Sequence, residues 1–338
     1  MTGVLGRGAQ YGNMNVCVTG ATGFLGGYLV SDLISRGARV SALVRTTSDT
    51  AKLERAGVEV VRGSLADRSA LERAMRGVDV VYHLAALTSR TAPSKQDCYQ
   101  TNVVATDLVA QTVLDLGITR MVFCSTAAVY GVIDDPPVDE QSRTKRDSPY
   151  AETKLVAEQR LLSAYRAQGL PIVIARFPGV LGYGSPSFIG LFLAIAAGGF
   201  RVIGPGNNHT HISHVKDVVQ GLRLCGETAG INGRIYNLAS EHPVTVNELV
   251  TGIAQELGVT LSSVRLPRLP YQMFHAANCM LYRVCGRELP RASKYELFLS
   301  DKVMSIARAR KELGFNPKIS LREGLRDAIA WHRERGEL

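Results

Sequence analysis

At 338 residues, 46% hydrophobic and 20% charged, the chain has the makeup of an ordinary globular protein. It has room for about two domains, or one large domain with an appended lobe, and no apolar run reaches the length of a membrane span. The net charge of +9 suits an anionic ligand, but Lys and Arg are scattered, with no dense basic run and no aromatic-interleaved basic motif, so no nucleic-acid partner is expected. Cysteines at 17, 98, 124, 225, 279 and 285 form no Cys-x-x-Cys pair, and no His cluster has ligand spacing. A metal site and a disulfide framework are therefore not expected, and reduced thiols in a cytoplasmic protein are.

Residues 1–13 are Gly-rich, lack the apolar segment of a signal peptide and read as a flexible tail. A strand is predicted over Val16–Thr19 and a helix over Leu25–Arg36, stopped by Gly37. Strands follow at Val40–Arg45, Val58–Val61 and Val78–Leu84, with a helix over Ser69–Arg76 between the last two. A long helix over Asn102–Leu116 leads to a strand at Met121–Ser125, and a helix over Tyr150–Gln168 leads to a strand at Ile172–Arg176. This alternation predicts an α/β fold, a doubly wound parallel sheet with right-handed crossovers and ligands at the carboxyl ends of its strands. After about residue 178 the pattern loosens, with Pro and Gly clustered at 178–186 and 204–206 and helical segments from Val246 onward. The expected division is a first domain over 14–178, a segment returning to it near 212–240, and a smaller α/β substrate lobe over most of 179–338.

Gly20, Gly23 and Gly26 stand at a spacing of three between the first strand and the first helix. Glycine lets backbone approach a ligand closely, and a helix starting there points free N–H groups and its positive end at an anion. The strand–turn–helix context suits the pyrophosphate of a dinucleotide, although the commoner spacing is Gly-x-Gly-x-x-Gly.

A second motif, Tyr150-Ala-Glu-Thr-Lys154, puts a phenol and an ammonium on one helical face. A neighbouring cation favours the phenolate, so Lys154 is expected to lower the pKa of Tyr150. The strand before that helix ends in Ser125-Thr126, small hydroxyls placed where a substrate carbonyl oxygen could be hydrogen-bonded.

These motifs are joined, in order, by His83-Leu84-Ala85-Ala86, the helix start Asn102 to Thr106, Val129-Tyr130-Gly131, Arg176-Phe177-Pro178-Gly179-Val180, Ile212 to Asp217, Tyr236-Asn237, and Leu313 to Pro317 with Gly324. Along nearly its whole length the chain resembles the extended short-chain dehydrogenase/reductases of the NAD-dependent epimerase/dehydratase superfamily. It is most similar to their 3β-hydroxysteroid dehydrogenase, sterol-carboxylate dehydrogenase and dihydroflavonol-reductase branch. The resemblance implies a Rossmann domain, Tyr150 as acid/base, Lys154 on the ribose hydroxyls, and the catalytic hydroxyl at Thr126, with Ser125 as the fallback. It implies cofactor contacts at Gly20, Thr22, Gly23, Phe24, Leu25, Gly26, Leu65, Leu84, Ala85, Ala86, Asn102, Lys154, Phe177, Pro178 and Val180. It also implies a homodimer through the helices Asn102–Leu116 and Tyr150–Gln168.

The second strand ends in Arg45 with no acid after it, and Ser48, Thr46 and Lys52 are near. An arginine there suits a 2′-phosphate, which predicts NADP(H) in preference to NAD(H). Ser64 replaces the first acid of the family's adenine-contacting Gly-Asp-Leu, leaving Leu65. Dehydratases carry an Asp-Glu pair where this chain has Ala127-Ala128; epimerases carry an Asn at Gly179 and a phosphate-binding Arg at Thr210. The reading that remains is hydride exchange between a ketone and a secondary alcohol on a hydrophobic, sterol-like or polyketide-like substrate. Its alternatives are a sugar-nucleotide epimerase holding NAD(P) and a non-catalytic dinucleotide sensor or scaffold. Apolar residues over 266–285, rimmed by Arg265, Arg268, Arg283 and Arg287, could form a lid, lobe core or, less favoured, a peripheral membrane contact. His83, His209, His211 and His214 are expected to be structural.

Overall fold

The structure, a computed structural model, describes residues 14–88, 94–285 and 296–338; the expected tail and Arg287 lie outside these residues, as does the side chain of Arg283. Strand β1 (Asn15–Thr19) runs into α1 (Phe24–Ser35), and β2 (Arg39–Val44), α2 (Ala51–Arg55), β3 (Glu59–Arg62) and α3 (Arg68–Met75) follow. Then come β4 (Val80–His83), α4 (Lys95–Tyr99), α5 (Ala105–Asp115), β5 (Arg120–Cys124), α6 (Pro149–Gln168) and β6 (Ile172–Arg176). The second half contains β7 (Gly179–Leu181), α7 (Ile189–Ala196), β8 (His209–Thr210), β9 (Ile212–His214), α8 (Val215–Glu227), β10 (Ile235–Asn237) and β11 (Val244–Thr245). It ends with α9 (Val246–Leu257), α10 (Leu269–Cys285), α11 (Glu296–Leu299), α12 (Ala307–Leu313) and α13 (Leu321–Glu334).

Seven strands form one parallel sheet in the order β10-β6-β5-β4-β1-β2-β3. The order reverses at β1 and β4, which opens a crevice at the carboxyl ends of these two strands. Alternating side chains along each strand serve two apolar layers. Val16 and Val18 pack with Leu29 and Leu33 of α1 and Leu222 of α8; Cys17 packs on the other face with Leu71 of α3, Val113 of α5 and Leu161 of α6. A third apolar cluster joins α7, α9 and α13 in the lobe, around Phe192, Leu249 and Leu325. Strand β10 returns the chain from the lobe to the sheet beside β6.

The expected continuous helix over Asn102–Leu116 is interrupted. Gln100–Val104 is a π-helical turn that closes with the Ala105 N–H on the Gln100 carbonyl, and regular helix begins only at Ala105. The wider turn lets Asn102 face inward, a use of π-turns common at sites. Among the described residues no helix is long and apolar enough to cross a membrane.

Candidate active site

The glycine loop is shaped by two contacts. Gly20 has φ +77°, and a Cβ on it would lie 2.8 Å from the Ala85 nitrogen; a Cβ on Gly26 would lie 2.1 Å from the Gly20 carbonyl oxygen. Only glycine lets the β1–α1 turn press against the end of β4 and lets α1 start directly beneath it. No side chain caps α1 and no acid occupies its first turn, so its first N–H groups face the crevice as an anion cradle. Thr22 and Gly23 are exposed on this loop, and Phe24 and Leu25 are half-buried. Leu84, Ala85 and Ala86 line the opposite rim, half-buried. These features fit a dinucleotide pyrophosphate.

Arg45 is exposed immediately after β2, and Ser48 donates its N–H to the Arg45 carbonyl at 3.0 Å. Arg62 was not among the expected site residues. This residue ends β3 and donates to the carbonyls of Thr46 and Ser48, both at 3.2 Å, and to Thr50 Oγ1 at 2.6 Å. It holds the loop that presents Arg45, and its position at the carboxyl end of a strand neighbouring β2 was the available signal. Leu65 is half-buried against the α3 side of the sheet.

Behind the cradle, His83 is fully buried. Its Nδ1 lies 2.7 Å from Thr19 Oγ1 and its Nε2 3.0 Å from Thr106 Oγ1, and burial lowers its pKa to about 3. It ties β1, β4 and α5 together as a neutral ring, a structural role. His211 is likewise structural, its Nδ1 accepting from the Met304 N–H at 3.0 Å, and His214 caps α8. His209 is an exposed residue beside Asp301, 3.6 Å away.

Asn102, expected among the cofactor contacts, is sealed behind the rim at 1% exposure. Its Oδ1 accepts from the Leu87 N–H and its Nδ2 donates to the Leu87 carbonyl, both at 2.8 Å, and Nδ2 also reaches Thr153 Oγ1 at 3.1 Å. With both ends of the amide engaged, it shapes the loop after Ala86 instead of reaching a ligand. The expected backbone-facing stretch Phe177, Pro178 and Val180 follows β6; Phe177 accepts the Ala127 N–H at 2.9 Å, and Val180 is buried.

Ser148 caps α6, accepting the Ala151 N–H at 3.2 Å, and Pro149 takes the first helical position. This places Tyr150 and Lys154 one turn apart at the start of α6, beside the end of β5. Thr126 accepts the Ala128 N–H at 3.2 Å and is partly exposed, and a hydrogen bond from Thr126 acts on the Tyr150 phenol. Thr126, Tyr150 and Lys154 are thus brought together.

Ser125 is not with them. Its hydroxyl is buried and donates to Glu158 Oε1. Glu158 also receives Arg176 Nε at 3.0 Å and Nη2 at 2.5 Å, and Arg176 Nη1 donates to the Tyr130 hydroxyl at 3.0 Å, which in turn donates to Asn237 at 2.7 Å. Ser125 belongs to this buried seam tying β5, α6, β6 and β10, so the fallback for the catalytic hydroxyl is withdrawn.

The electrostatic expectation is also corrected. Burial pushes the Tyr150 phenol well above its ordinary pKa, with Cys124 and Cys98 adding to the rise and the Thr126 hydrogen bond opposing it. Lys154 does not pull it down. Lys154 is 2% exposed, its Nζ lies 4.1 Å from the centre of the Phe123 ring, and burial lowers its own pKa to about 8. The phenol of this site therefore rests protonated.

The positions that separate sister chemistries are apolar or closed. Ala127 and Ala128 form a tight turn after Thr126 without a carboxylate. A Cβ on Gly179 would lie 2.9 Å from the Phe188 ring, so an aromatic face fills that space. Phe188 holds φ +64°, a conformation costly for a bulky residue. Thr210 is buried.

A family model described as the NAD dependent epimerase/dehydratase family matches residues 16–239. The chain is 32% identical to sterol demethylase protein B of Methylococcus capsulatus, over 96% of this chain and 99% of that one. It is 31% identical to a 4-hydroxy-2-methyl-3-oxo-4-farnesyl-3,4-dihydroquinoline-1-oxide ketoreductase of Stigmatella aurantiaca, over 94% of this chain and 96% of that one. The crystal structure of gox2253 superposes with a TM-score of 0.82 at 29% identity, covering 96% of this chain and all of that one.

Proposed function

Because the chain belongs to the NAD-dependent epimerase/dehydratase family and is an NAD(P)-dependent enzyme acting on CH–OH groups, we propose that it interconverts a ketone and a secondary alcohol on a hydrophobic substrate, with NADP(H) preferred. The observation that carries this reading is the convergence of Thr126, Tyr150 and Lys154 at the carboxyl end of β5, where the following turn holds no carboxylate. Water elimination lacks an acid and base there. The aromatic closure at Gly179 and the buried Thr210 disfavour a sugar-nucleotide diphosphate. The ketoreductase and sterol-acting relatives support an apolar substrate.

Bound NADPH supplies the hydride. The Thr126 hydroxyl accepts from the Ala128 N–H and directs its own proton at the Tyr150 phenol; a substrate oxygen entering beside both takes that proton's hydrogen bond in its place. Tyr150, kept protonated by burial, gives its proton to that oxygen as it becomes an alkoxide. Lys154, with a pKa of about 8, is placed to hold the ribose hydroxyls and to return a proton toward Tyr150. In this reading residues 20–26 and 84–86 hold the pyrophosphate, and Arg45 with Ser48 meets the 2′-phosphate. The domain division at about residue 178 belongs to the same reading. So does a homodimer through the helices spanning Asn102–Leu116 and Tyr150–Gln168, where Val104, in the turn that leads into α5, and Tyr165 of α6 are exposed. All six cysteines are free thiols, in keeping with the cytoplasm.

The test is a screen of hydrophobic ketones with NADPH and of the matching alcohols with NADP+. Saturable turnover that Tyr150→Phe abolishes supports the reading; tight cofactor binding without turnover on any ketone or alcohol would favour a sensor.

A further inference from the structure

Two helices of the lobe turn apolar faces to solvent. Helix α7 carries no polar side chain over Ile189–Ala196. Phe192 and Ile195 face the lobe core, yet Leu193 is 48% exposed. A helix apolar on every side is ordinarily covered on every side. Helix α10 repeats the pattern at greater length. Its Asn278 and Tyr282 are buried, while Leu269, Met273, Met280 and Val284 stand out with 65–74% of their surface exposed. Spacings of four, seven and four residues put these four on one helical face, and the exposed Ala276 and Ala277 continue it between Met273 and Met280. Contiguous exposed apolar surface of this kind marks an interaction site.

The chain leaving α7 pairs with the chain entering α10. The Leu266 N–H donates to the Val202 carbonyl at 2.9 Å and the Gly204 N–H to the Leu266 carbonyl at 2.8 Å. Arg201 and Arg265 stand exposed at this joint, and Arg265 donates to the neutral Asn247 Oδ1 at 2.8 Å. Residues 189–207 and 259–285 contain no Asp or Glu, so neither segment supplies a carboxylate to offset these cations. That charge selects the occupant. A second copy of this chain would bring the same cations to the contact and be repelled. The apolar side chains project from a convex helix, where a rigid partner needs a socket for each and a lipid interface yields to all of them.

We propose that α7 and α10 dock the protein on an anionic lipid surface, with Leu193, Leu269, Met273, Met280 and Val284 entering the headgroup boundary and Arg201 and Arg265 meeting lipid phosphates. The contact is peripheral and spans nothing. Of the three roles expected for residues 266–285, the exposed face suits the least favoured one. The docked helix is also tied to the candidate active site: the Tyr282 hydroxyl donates at 2.5 Å to Glu152, in the first turn of α6 beside Tyr150.

The test is flotation of the full chain with vesicles of phosphatidylcholine, alone or mixed with phosphatidylglycerol. The wild type is expected to float with the anionic vesicles and to bind the neutral ones about thirtyfold more weakly. Met273→Glu with Met280→Glu should lower partition onto anionic vesicles by about a hundredfold. Arg201→Gln with Arg265→Gln should lower it by about thirtyfold. Urea midpoints near that of the wild type show that both variants are folded. Met280→Trp gives a second readout: acyl chains carrying bromine should quench its added fluorescence, read against a wild type whose single tryptophan is Trp331 of α13. Absence of flotation overturns the proposal, and so does flotation that the methionine variant leaves unchanged. Binding to polyglutamate without binding to vesicles overturns it in favour of an acidic protein. A wild-type dimer that does not float, and that the methionine variant dissociates, overturns it in favour of a contact between copies.

Discussion

Lys154 stacks its ammonium on the Phe123 ring, 4.1 Å from the ring centre, inside the protein. The contact offers a cation–π stabilisation of the charge in place of water, yet burial still lowers the lysine to about 8 from an ordinary 10.5. The residue proposed to hold the cofactor ribose therefore changes charge close to working pH.

Cofactor affinity is expected to follow that charge. Above about pH 8 Lys154 becomes a neutral amine, and NADPH binding should weaken by about tenfold for each further unit. Phe123→Leu removes the ring and moves the weakening to lower pH. Fluorescence titration of NADPH from pH 7 to 10 measures both, and a flat profile refutes the assignment. Folding has the opposite sign. The folded chain sheds this proton near 8 and the unfolded chain near 10.5, so the unfolded state binds more protons in that window. This group's contribution to stability rises there by about 1.4 kcal/mol per pH unit.

The two adjacent hydroxyls should separate cleanly. Tyr150→Phe is expected to lower kcat by about a thousandfold with NADPH binding retained, and Thr126→Val by roughly ten- to a hundredfold. Ser125→Ala removes the hydroxyl donated to the buried Glu158. It should cost about 1–3 kcal/mol of stability and leave the turnover of folded protein nearly unchanged. Urea unfolding beside steady-state kinetics on the three variants checks this; a catalytic collapse confined to Ser125→Ala would reverse the roles.

The proposed preference for NADP(H) rests on Arg45. Arg45→Asp exchanges a partner for the 2′-phosphate for one suited to a ribose hydroxyl, and the ratio of kcat/KM for NADPH over NADH should fall by about a hundredfold. Arg62→Met loosens the loop that presents Arg45 and should produce a smaller fall. Equal use of both nicotinamides by the wild type would show that Arg45 makes no such contact.

Acid lability should trace in part to His83. Its pKa is about 3 in the folded chain and 6.5 when unfolded. Its contribution is complete above 6.5 and is lost as pH falls toward 3, by about 1.4 kcal/mol per unit. His83→Gln lowers stability at pH 7, but its further loss between pH 6.5 and 5 should be about 2 kcal/mol smaller than in the wild type. Urea midpoints at the two pH values decide it.

Local pattern went far with this chain. The strand at Ile172–Arg176 begins and ends where its residues predicted, and the helices at Phe24 and Pro149 start within one residue of expectation, because the glycine turn before the first, the Ser148 cap of the second and apolar periodicity act over a few residues. The short pieces Ala51–Arg55, Gly179–Leu181 and Ile235–Asn237 were not resolved in the reading. Each is too short for a periodic signal and owes its form to its neighbour, as β10 does to β6.

The amino-acid order by itself determined the parallel sheet, the anion cradle at Gly20–Gly26 and the pairing of Tyr150 with Lys154, since all three depend on spacing along one strand, turn or helix. The tertiary structure alone decided which hydroxyl is accessible, why Asn102 serves Leu87, and that the Tyr150 phenol is held up instead of down. These depend on burial and on partners far apart in the chain, and desolvation is a property of the surrounding atoms that no local spacing encodes.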